Sequence, residues 1–130
     1  MNRRTVLTIG VGLLVGMAWA KSLQAHMAQG GWLYDGNCCS GTDCIEIPKE
    51  AVRIVEGRMY VVLTPEIHPR LKGTATFDAT DRIKRSKDNS YHACARPLAR
   101  NSNPQKSNYA KGSDGIWYRL LCLYIPMENG

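Results

Sequence analysis

The chain has 130 residues and a mass of 14.5 kDa, which suits one ordinary domain and excludes two independent catalytic domains. Its 44% hydrophobic and 22% charged residues are typical of a globular protein and exclude a disordered tail or a fibre. The formal net charge of +6 is a modest excess. The one local basic run, residues 82–87, lacks interleaved aromatic side chains, so it predicts a solvated turn and no nucleic-acid site.

The first 25 residues have the three-part pattern of a secretory signal. Two arginines precede an apolar run at residues 6–18, and Ala18 and Ala20 supply small side chains at alternate positions. This run of about 13 residues is shorter than the roughly 20 that a helix needs to span a bilayer. We therefore expect a signal peptide at residues 1–20, with cleavage as late as residue 25, no permanent membrane anchor, and a periplasmic or secreted product.

Turn-forming residues open the mature chain, and strand-forming residues follow them. Residues 30–44 are rich in glycine, asparagine and aspartate, which predicts an ordered loop held by its cysteines. Residues 45–48 then alternate apolar and polar side chains. Two β-branched segments, residues 52–55 and 59–63, flank Glu56-Gly57-Arg58. A glycine in such a short connection predicts a β-hairpin.

Later segments add three strand patterns and one loop. Residues 73–77 predict a third or edge strand, and residues 91–96 predict another that ends at a proline. Asparagine, serine, glycine and lysine dominate residues 100–115, which predicts a long mobile loop. The aromatic and β-branched residues at 116–125 predict the central strand of the sheet.

These elements set the expected class of fold. No segment after the signal has a long amphipathic helical repeat. We therefore expect residues 26–130 to form one cysteine-stapled, mainly β domain. Its architecture is predicted to be a small antiparallel sheet or partly open barrel with long loops, stabilised by disulfides.

Five cysteines in so short an exported chain predict disulfides. Cys94 and Cys122 each lie in a predicted strand, so a bridge between them is the first expected pairing. Adjacent Cys38 and Cys39 rarely bond to each other, which predicts that Cys44 pairs with one of them. The thiol left over supports three alternatives: an intermolecular disulfide that links a dimer, a buried thiol, or a metal ligand.

The metal alternative would combine Cys39, Cys44 and His92, a thiolate and imidazole set that suits copper or zinc. The cluster lacks the paired Cys-x2-Cys spacing of common zinc modules, so no metal or other cofactor is expected. His26 and His68 are predicted to be tolerated surface histidines.

Aromatic and polar side chains near the cysteines form the expected binding face, which comprises Trp32, Tyr34, Asp43, Tyr91 and His92. Rings beside a carboxylate can wall a small pocket for carbohydrate or peptide, although the same rings can simply fill the core. No phosphate-binding loop, serine-hydrolase elbow or zinc-protease motif occurs. We therefore expect a protein that works by binding a protein partner or an envelope component, and no catalytic residue is predicted.

Three motifs carry a resemblance to a known family, and they cover much of the mature chain: Gly31-Trp32-x-Tyr34-x3-Cys38-Cys39-Ser40-Gly41-x-Asp43-Cys44, Ser86-x-Asp88-x2-Tyr91-His92-x-Cys94, and Cys122-Leu123-Tyr124-Ile125-Pro126. With them the chain resembles an uncharacterised family of small exported proteins of alphaproteobacteria and their phages that share a Cys-Cys-Ser-Gly-x-Asp-Cys motif. The resemblance implies export. It also implies that the cysteine window and the Tyr91-His92-x-Cys94 segment act as one unit, and it transfers no catalytic residue.

Overall fold

The computed structural model describes residues 27–39, 41–99 and 104–127, so the predicted signal peptide and His26 lie outside the described residues. The described chain is mainly β. Its eight strands, in chain order, are β1 (Cys44–Ile47), β2 (Val52–Val55), β3 (Arg58–Leu63), β4 (Ala75–Asp78), β5 (Ile83–Arg85), β6 (Tyr91–Pro97), β7 (Tyr109–Lys111) and β8 (Trp117–Ile125). Short 3-10 turns at Lys49–Ala51 and Thr80–Arg82 connect some of them.

Five of the strands form a sheet in the order β1-β6-β8-β5, with β7 also paired to β8. β8 pairs with β6 along its length, with β7 near its start and with β5 near its end. This confirms the predicted central strand. The sheet is antiparallel except for β5, which runs parallel to β8, and the described strands do not close into a barrel.

The predicted hairpin forms the other sheet, in which β2, β3 and β4 pair in chain order. Glu56 and Gly57 are the two turn residues, and both have positive φ angles, of 50° and 77°. That backbone suits the right-handed twist of the adjoining strands, and glycine adopts it without steric cost. The sequence signal was strong here because both strands and their turn are contiguous.

The two sheets share an apolar core that is built from alternate residues of their facing strands. Val61, Leu63 and Phe77 from the hairpin sheet pack with Ala93 and other buried residues of the five-stranded sheet, among them Ala95, Tyr118, Leu120 and Leu123. We call this side of the five-stranded sheet its inner face. The opposite side, the outer face, is covered in part by residues 28–39, so the middle of β8 is buried from both directions.

Two loop predictions need correction. The basic run at residues 82–87, predicted as a solvated turn, contains β5, because the end of β8 offers that segment a pairing edge. The segment at residues 100–115, predicted as a long mobile loop, contains β7, whose three residues pair with the start of β8. Each strand has only three residues, which is too short to show an alternating pattern. In addition, β5 is specified by a partner that lies far away in sequence.

Candidate functional site

An aromatic cluster occupies the outer face where β6 and β8 meet the covering loop. His92 and Tyr124 are cross-strand partners, and Trp32 and Tyr34 pack on them from the loop. The Trp32 ring centroid lies 5.1 Å from that of His92 and 5.2 Å from that of Tyr124, in edge-on arrangements. Such geometry is favoured by the ring quadrupoles, so the four rings hold the loop against the sheet.

The imidazole of His92 is fully buried and bonded at both nitrogens. Nε2 lies 2.9 Å from Oδ1 of Asp88, and Nδ1 lies 2.8 Å from the hydroxyl of Tyr34. A carboxylate only accepts hydrogen bonds, so Nε2 carries the proton that is donated to Asp88. In the neutral imidazole, Nδ1 accepts the hydrogen bond that Tyr34 donates. The three side chains form one continuous row across the covered face.

Asp88 is the centre of this network. Its carboxylate accepts hydrogen bonds from Trp32 Nε1 at 2.6 Å, from Ser86 Oγ at 2.6 Å and from the backbone N–H of Ser90 at 2.9 Å. Burial raises the pKa of Asp88, but the hydrogen bonds from Ser86, Trp32 and His92 outweigh it and hold the pKa well below its usual range. The group is therefore a fixed anion.

A glycine and a second carboxylate complete the attachment of the loop. A Cβ on Gly30 would lie 2.7 Å from Oδ2 of Asp88, so this close approach requires glycine. The hydroxyl of Tyr124 donates to Oδ2 of Asp35 at 2.7 Å. Burial raises the pKa values of Tyr34 and Tyr124, so both phenols stay protonated. The network therefore holds the loop in place and contains no activated nucleophile.

The disulfides join the same loop and strands, but both predicted pairings were wrong: Cys94 does not bond to Cys122, and Cys44 bonds to neither Cys38 nor Cys39. Cys38 bonds to Cys122, and Cys44 bonds to Cys94. Cys94 and Cys122 are indeed cross-strand neighbours, as the prediction required. However, β1 places Cys44 beside Cys94 on its other flank, with the Cα atoms 4.0 Å apart. Cys38 lies in the loop that covers the outer face, and it bonds to Cys122. The two disulfides indicate an oxidising compartment outside the cytoplasm.

Cys39 is the cysteine outside both bridges. Its side chain is buried, and its Sγ lies 3.3 Å from the backbone oxygen of Gly41. Burial raises the pKa of this thiol. The metal alternative combined Cys39, Cys44 and His92. In the structure, Cys44 is disulfide-bonded and offers no thiolate. Both nitrogens of His92 already have hydrogen-bond partners. Among the described residues, no group of three potential ligands meets the geometry for a metal ion.

Asp43 lies apart from the aromatic cluster, in a buried position next to basic side chains. Its side chain is 2% exposed, and Oδ1 lies 3.5 Å from Nε of Arg70. His68, predicted at the surface, is fully buried beneath it and bonds through Nε2 to the backbone oxygen of Asp43 at 2.8 Å. Desolvation lowers the pKa of His68, which keeps the ring neutral. Long-range packing buries this histidine, and no local pattern signals it.

A groove of about 1010 Å³ opens between the two sheets on the inner side. Val52 and Ile54 of β2 form one wall, and Tyr91 of β6 and Ile125 of β8 contribute to the other. Tyr91 faces this side because successive residues of a strand point to opposite faces. The side chain of Ile54 is 70% exposed. This groove is open to solvent, and its lining combines apolar side chains with the polar side chains of Lys49, Glu50, Arg85 and Asn89.

The five residues of the expected binding face are thus distributed over three places. Trp32, Tyr34 and His92 come together in the covered cluster, Asp43 lies beside the arginines, and Tyr91 lines the groove. The sequence patterns did not predict the central role of Asp88, although Asp88 and His92 are close in sequence. Arg119 was not predicted as a site residue either, although a charged residue within the apolar pattern of β8 could have indicated it.

Comparison of the chain with protein-family models, with curated proteins and with solved structures found no match in any of the three. None of the helices among the described residues has the length and apolar character that a membrane span requires.

Proposed function

We propose that the protein is an exported binding module, periplasmic or secreted, whose groove takes up an extended segment of a partner protein along the open edge of β2. The observation that carries this proposal is Ile54, an apolar residue that is 70% exposed on an edge strand and lines the groove. Natural proteins usually protect such edges with charges, prolines or covering segments. An apolar edge beside a groove is the arrangement used for adding a strand from a partner.

Backbone geometry favours an extended occupant. Val55 pairs with Arg58 across the two-residue turn, so the antiparallel alternation directs the N–H and C=O of Ile54 away from β3. A partner strand can therefore bond to the backbone of Ile54 while its side chains enter the groove. The disulfide-bonded sheet forms the opposite wall, and a rigid wall lowers the entropy lost on association.

Charge around the groove favours an occupant with acidic residues. Lys49 and Arg85 line the groove and are opposed there by Glu50. Arg53 adds an exposed positive charge on β2 itself. A segment with apolar side chains at alternate positions and a flanking aspartate or glutamate complements this surface.

Export rests on independent support. The basic, apolar and small-residue pattern of residues 1–25 is typical of a signal peptide. The disulfides are typical of proteins that leave the reducing cytoplasm. We also propose that the chain belongs to the exported family that its cysteine motif resembles. Intact mass of the purified protein tests export, because removal of residues 1–20 or 1–25 gives distinct masses.

Peptide selection tests the binding function. Peptides selected from a random displayed library on the oxidised protein are expected to be apolar at alternate positions and to carry acidic residues. Ile54→Glu is expected to abolish their binding. Leu33→Glu, at another exposed apolar position, should leave the affinity unchanged. N-methylation of the peptide's backbone amides that face β2 should also abolish binding. Equal affinity for the wild type and for Ile54→Glu would reject the groove as the site.

A further inference from the structure

The outer face carries a row of basic and aromatic side chains where β6, β7 and β8 lie side by side. Arg119 of β8 is the cross-strand partner of Arg96 on one flank and of Tyr109 on the other. Its neighbours Tyr118 and Leu120 are buried in the inner core, so Arg119 belongs to the outer face. Residues that are directly opposite in a sheet have Cβ atoms about 4.5–5.5 Å apart.

Two features of this row oppose the stability of the chain. Like charges directly opposite each other destabilise a sheet, and Arg96 and Arg119 are such a pair. In addition, the Nε of Arg119 is buried and has no hydrogen-bond partner within the described residues. A buried donor without an acceptor is costly, and violations of this kind concentrate at functional sites.

Within the described structure, Asp43 is the carboxylate that contacts Arg96, and it also contacts Arg70. Its Oδ1 lies 3.5 Å from Arg70 Nε and its Oδ2 lies 3.9 Å from Arg96 Nη1, and Oδ2 has no hydrogen-bond partner there. One buried carboxylate thus contacts two guanidinium groups, those of Arg70 and Arg96. The side chains of Arg70 and Arg96 remain 42% and 38% exposed, so their remaining donors can reach a ligand.

Neighbouring side chains extend the same surface. Trp117 lies two residues before Arg119, so it is on the same face of β8, and its cross-strand partner is Lys111. Trp117 is 38% exposed, so part of this residue is accessible to a ligand. Lys111 and Trp117 therefore extend the surface of Arg96 and Arg119 with a further positive charge and an accessible ring.

We propose that this basic face binds an oxyanion of the phosphate or sulfate type. Arg96 and Arg119 are its main ligands, and Asp43 is a positioning residue that contacts Arg96 and Arg70. Arg70 adds a third guanidinium through this shared contact. Guanidinium forks match the oxygen spacing of such groups and form charge-assisted hydrogen bonds to them. A bound oxyanion removes the repulsion between Arg96 and Arg119. The oxyanion can belong to a lipid headgroup or to a soluble molecule.

Titration with inorganic phosphate, followed by NMR of the arginine Nε–H groups and the tryptophan indoles, tests the proposal on the oxidised protein. We expect saturable shifts at Arg119 and Trp117. Arg96→Gln and Arg119→Gln should each raise the Kd by about tenfold or more. Arg82→Gln, at an arginine of the 3-10 turn before β5, is the matched control and should leave the Kd unchanged. No saturable shift, or equal weakening by all three variants, would overturn the proposal.

Arginine-to-lysine variants separate binding from folding, because lysine keeps the charge but loses the fork. Arg119→Lys is expected to fold with the thermal midpoint of the wild type and to bind phosphate more weakly. An unchanged Kd in both Arg96→Lys and Arg119→Lys would contradict a fork-based site. Asp43→Asn should weaken binding less than Arg96→Gln does, while broadening the Arg70 and Arg96 signals. A loss of binding in Asp43→Asn as complete as in Arg96→Gln would contradict its positioning role.

Vesicles distinguish the two sources of the oxyanion. Sedimentation with phosphatidylglycerol vesicles but not with phosphatidylcholine vesicles, lost in Arg96→Gln, would assign the site to a lipid headgroup. Phosphate binding without sedimentation would assign it to a soluble oxyanion. Sedimentation that Arg96→Gln and Arg119→Gln leave unchanged would show that another surface binds the vesicles and would count against this site.

Discussion

The two faces of the five-stranded sheet are stabilised by different interactions. On the inner face, small and aliphatic side chains such as Ala93 and Leu120 pack against Val61 and Phe77 of the hairpin sheet. On the outer face, ring contacts, a disulfide and hydrogen bonds to Asp88 attach the covering loop. Apolar burial depends little on direction or on redox state, whereas the outer face depends on bond geometry, oxidation and charge. The same strands therefore respond to different conditions on their two sides.

Reduction of the disulfides should have the largest effect, and it should act on the outer face. Loss of a native disulfide from a small domain costs about 2–5 kcal/mol, and each kcal/mol shifts the midpoint by roughly 4–8 °C. We expect the thermal midpoint to fall by more than about 10 °C on reduction, measured by calorimetry. Cys39→Ala, which retains both bridges, should show the same fall. An unchanged midpoint would show that the disulfides do not stabilise the fold.

Truncation of the inner core should come next and should not depend on redox state. Phe77→Ala is expected to lower the free energy of unfolding by about 3–5 kcal/mol, because it empties a fully buried position. Phe77→Leu should cost less than about 1.5 kcal/mol. Urea unfolding of the oxidised and reduced proteins measures both. If the cost of Phe77→Ala changes strongly on reduction, the two faces are energetically coupled and the contrast fails.

Removal of the charge on Asp88 should have an intermediate effect that depends on pH. Asp88→Asn is expected to cost roughly 1–3 kcal/mol at pH 7, since it weakens several charge-assisted hydrogen bonds. The folded pKa of Asp88 is depressed, so its contribution is present above the unfolded pKa of about 3.9 and is lost as pH falls through the lower folded value. The difference between wild type and Asp88→Asn should therefore shrink below about pH 4.

Asp81→Asn serves as the comparison for that experiment, because Asp81 is exposed on a short turn. Its unfolding curve should follow the wild type at every pH. A difference between wild type and Asp88→Asn that stays constant down to pH 2 would show that the carboxylate charge contributes nothing.

The smallest effect on stability is expected at Cys39, and reactivity is its sensitive readout. Burial raises the pKa of the thiol, so little thiolate is exposed at pH 8. Iodoacetamide should modify Cys39 at least about tenfold more slowly in the native protein than in urea. Cys39→Ala should show no modification and should cost about 1 kcal/mol. Labelling as fast in the native protein as in urea would show that this part of the outer face opens readily.

What could be predicted depended on how local the signal was. The hairpin is specified by adjacent segments and a two-residue turn, and β8 has a long apolar pattern, so both were predicted. The disulfides required the order of the strands, because Cys94 has Cys122 on one flank and Cys44 on the other. Residue patterns do not contain that order.

The same reasoning explains the candidate sites. The structure brings Trp32 and Tyr34 of the covering loop into ring contact with His92 of β6. The burial of His68 and the convergence of Arg70 with Arg96 on Asp43 depend on contacts between distant segments. Among these residues, only Arg119 had a local signal in the sequence, because it is a charged residue within an apolar strand.

The nesting of the two disulfides has a consequence for survival among proteases. The Cys44–Cys94 bridge spans chain that lies wholly between Cys38 and Cys122. A single cut anywhere from residue 45 to residue 93, including the exposed turn at Glu56, leaves two fragments joined by both bridges. The two fragments of a nicked molecule therefore stay covalently linked, so the molecule can retain its fold. In a protease-rich environment, one cleavage there does not release any piece of the protein.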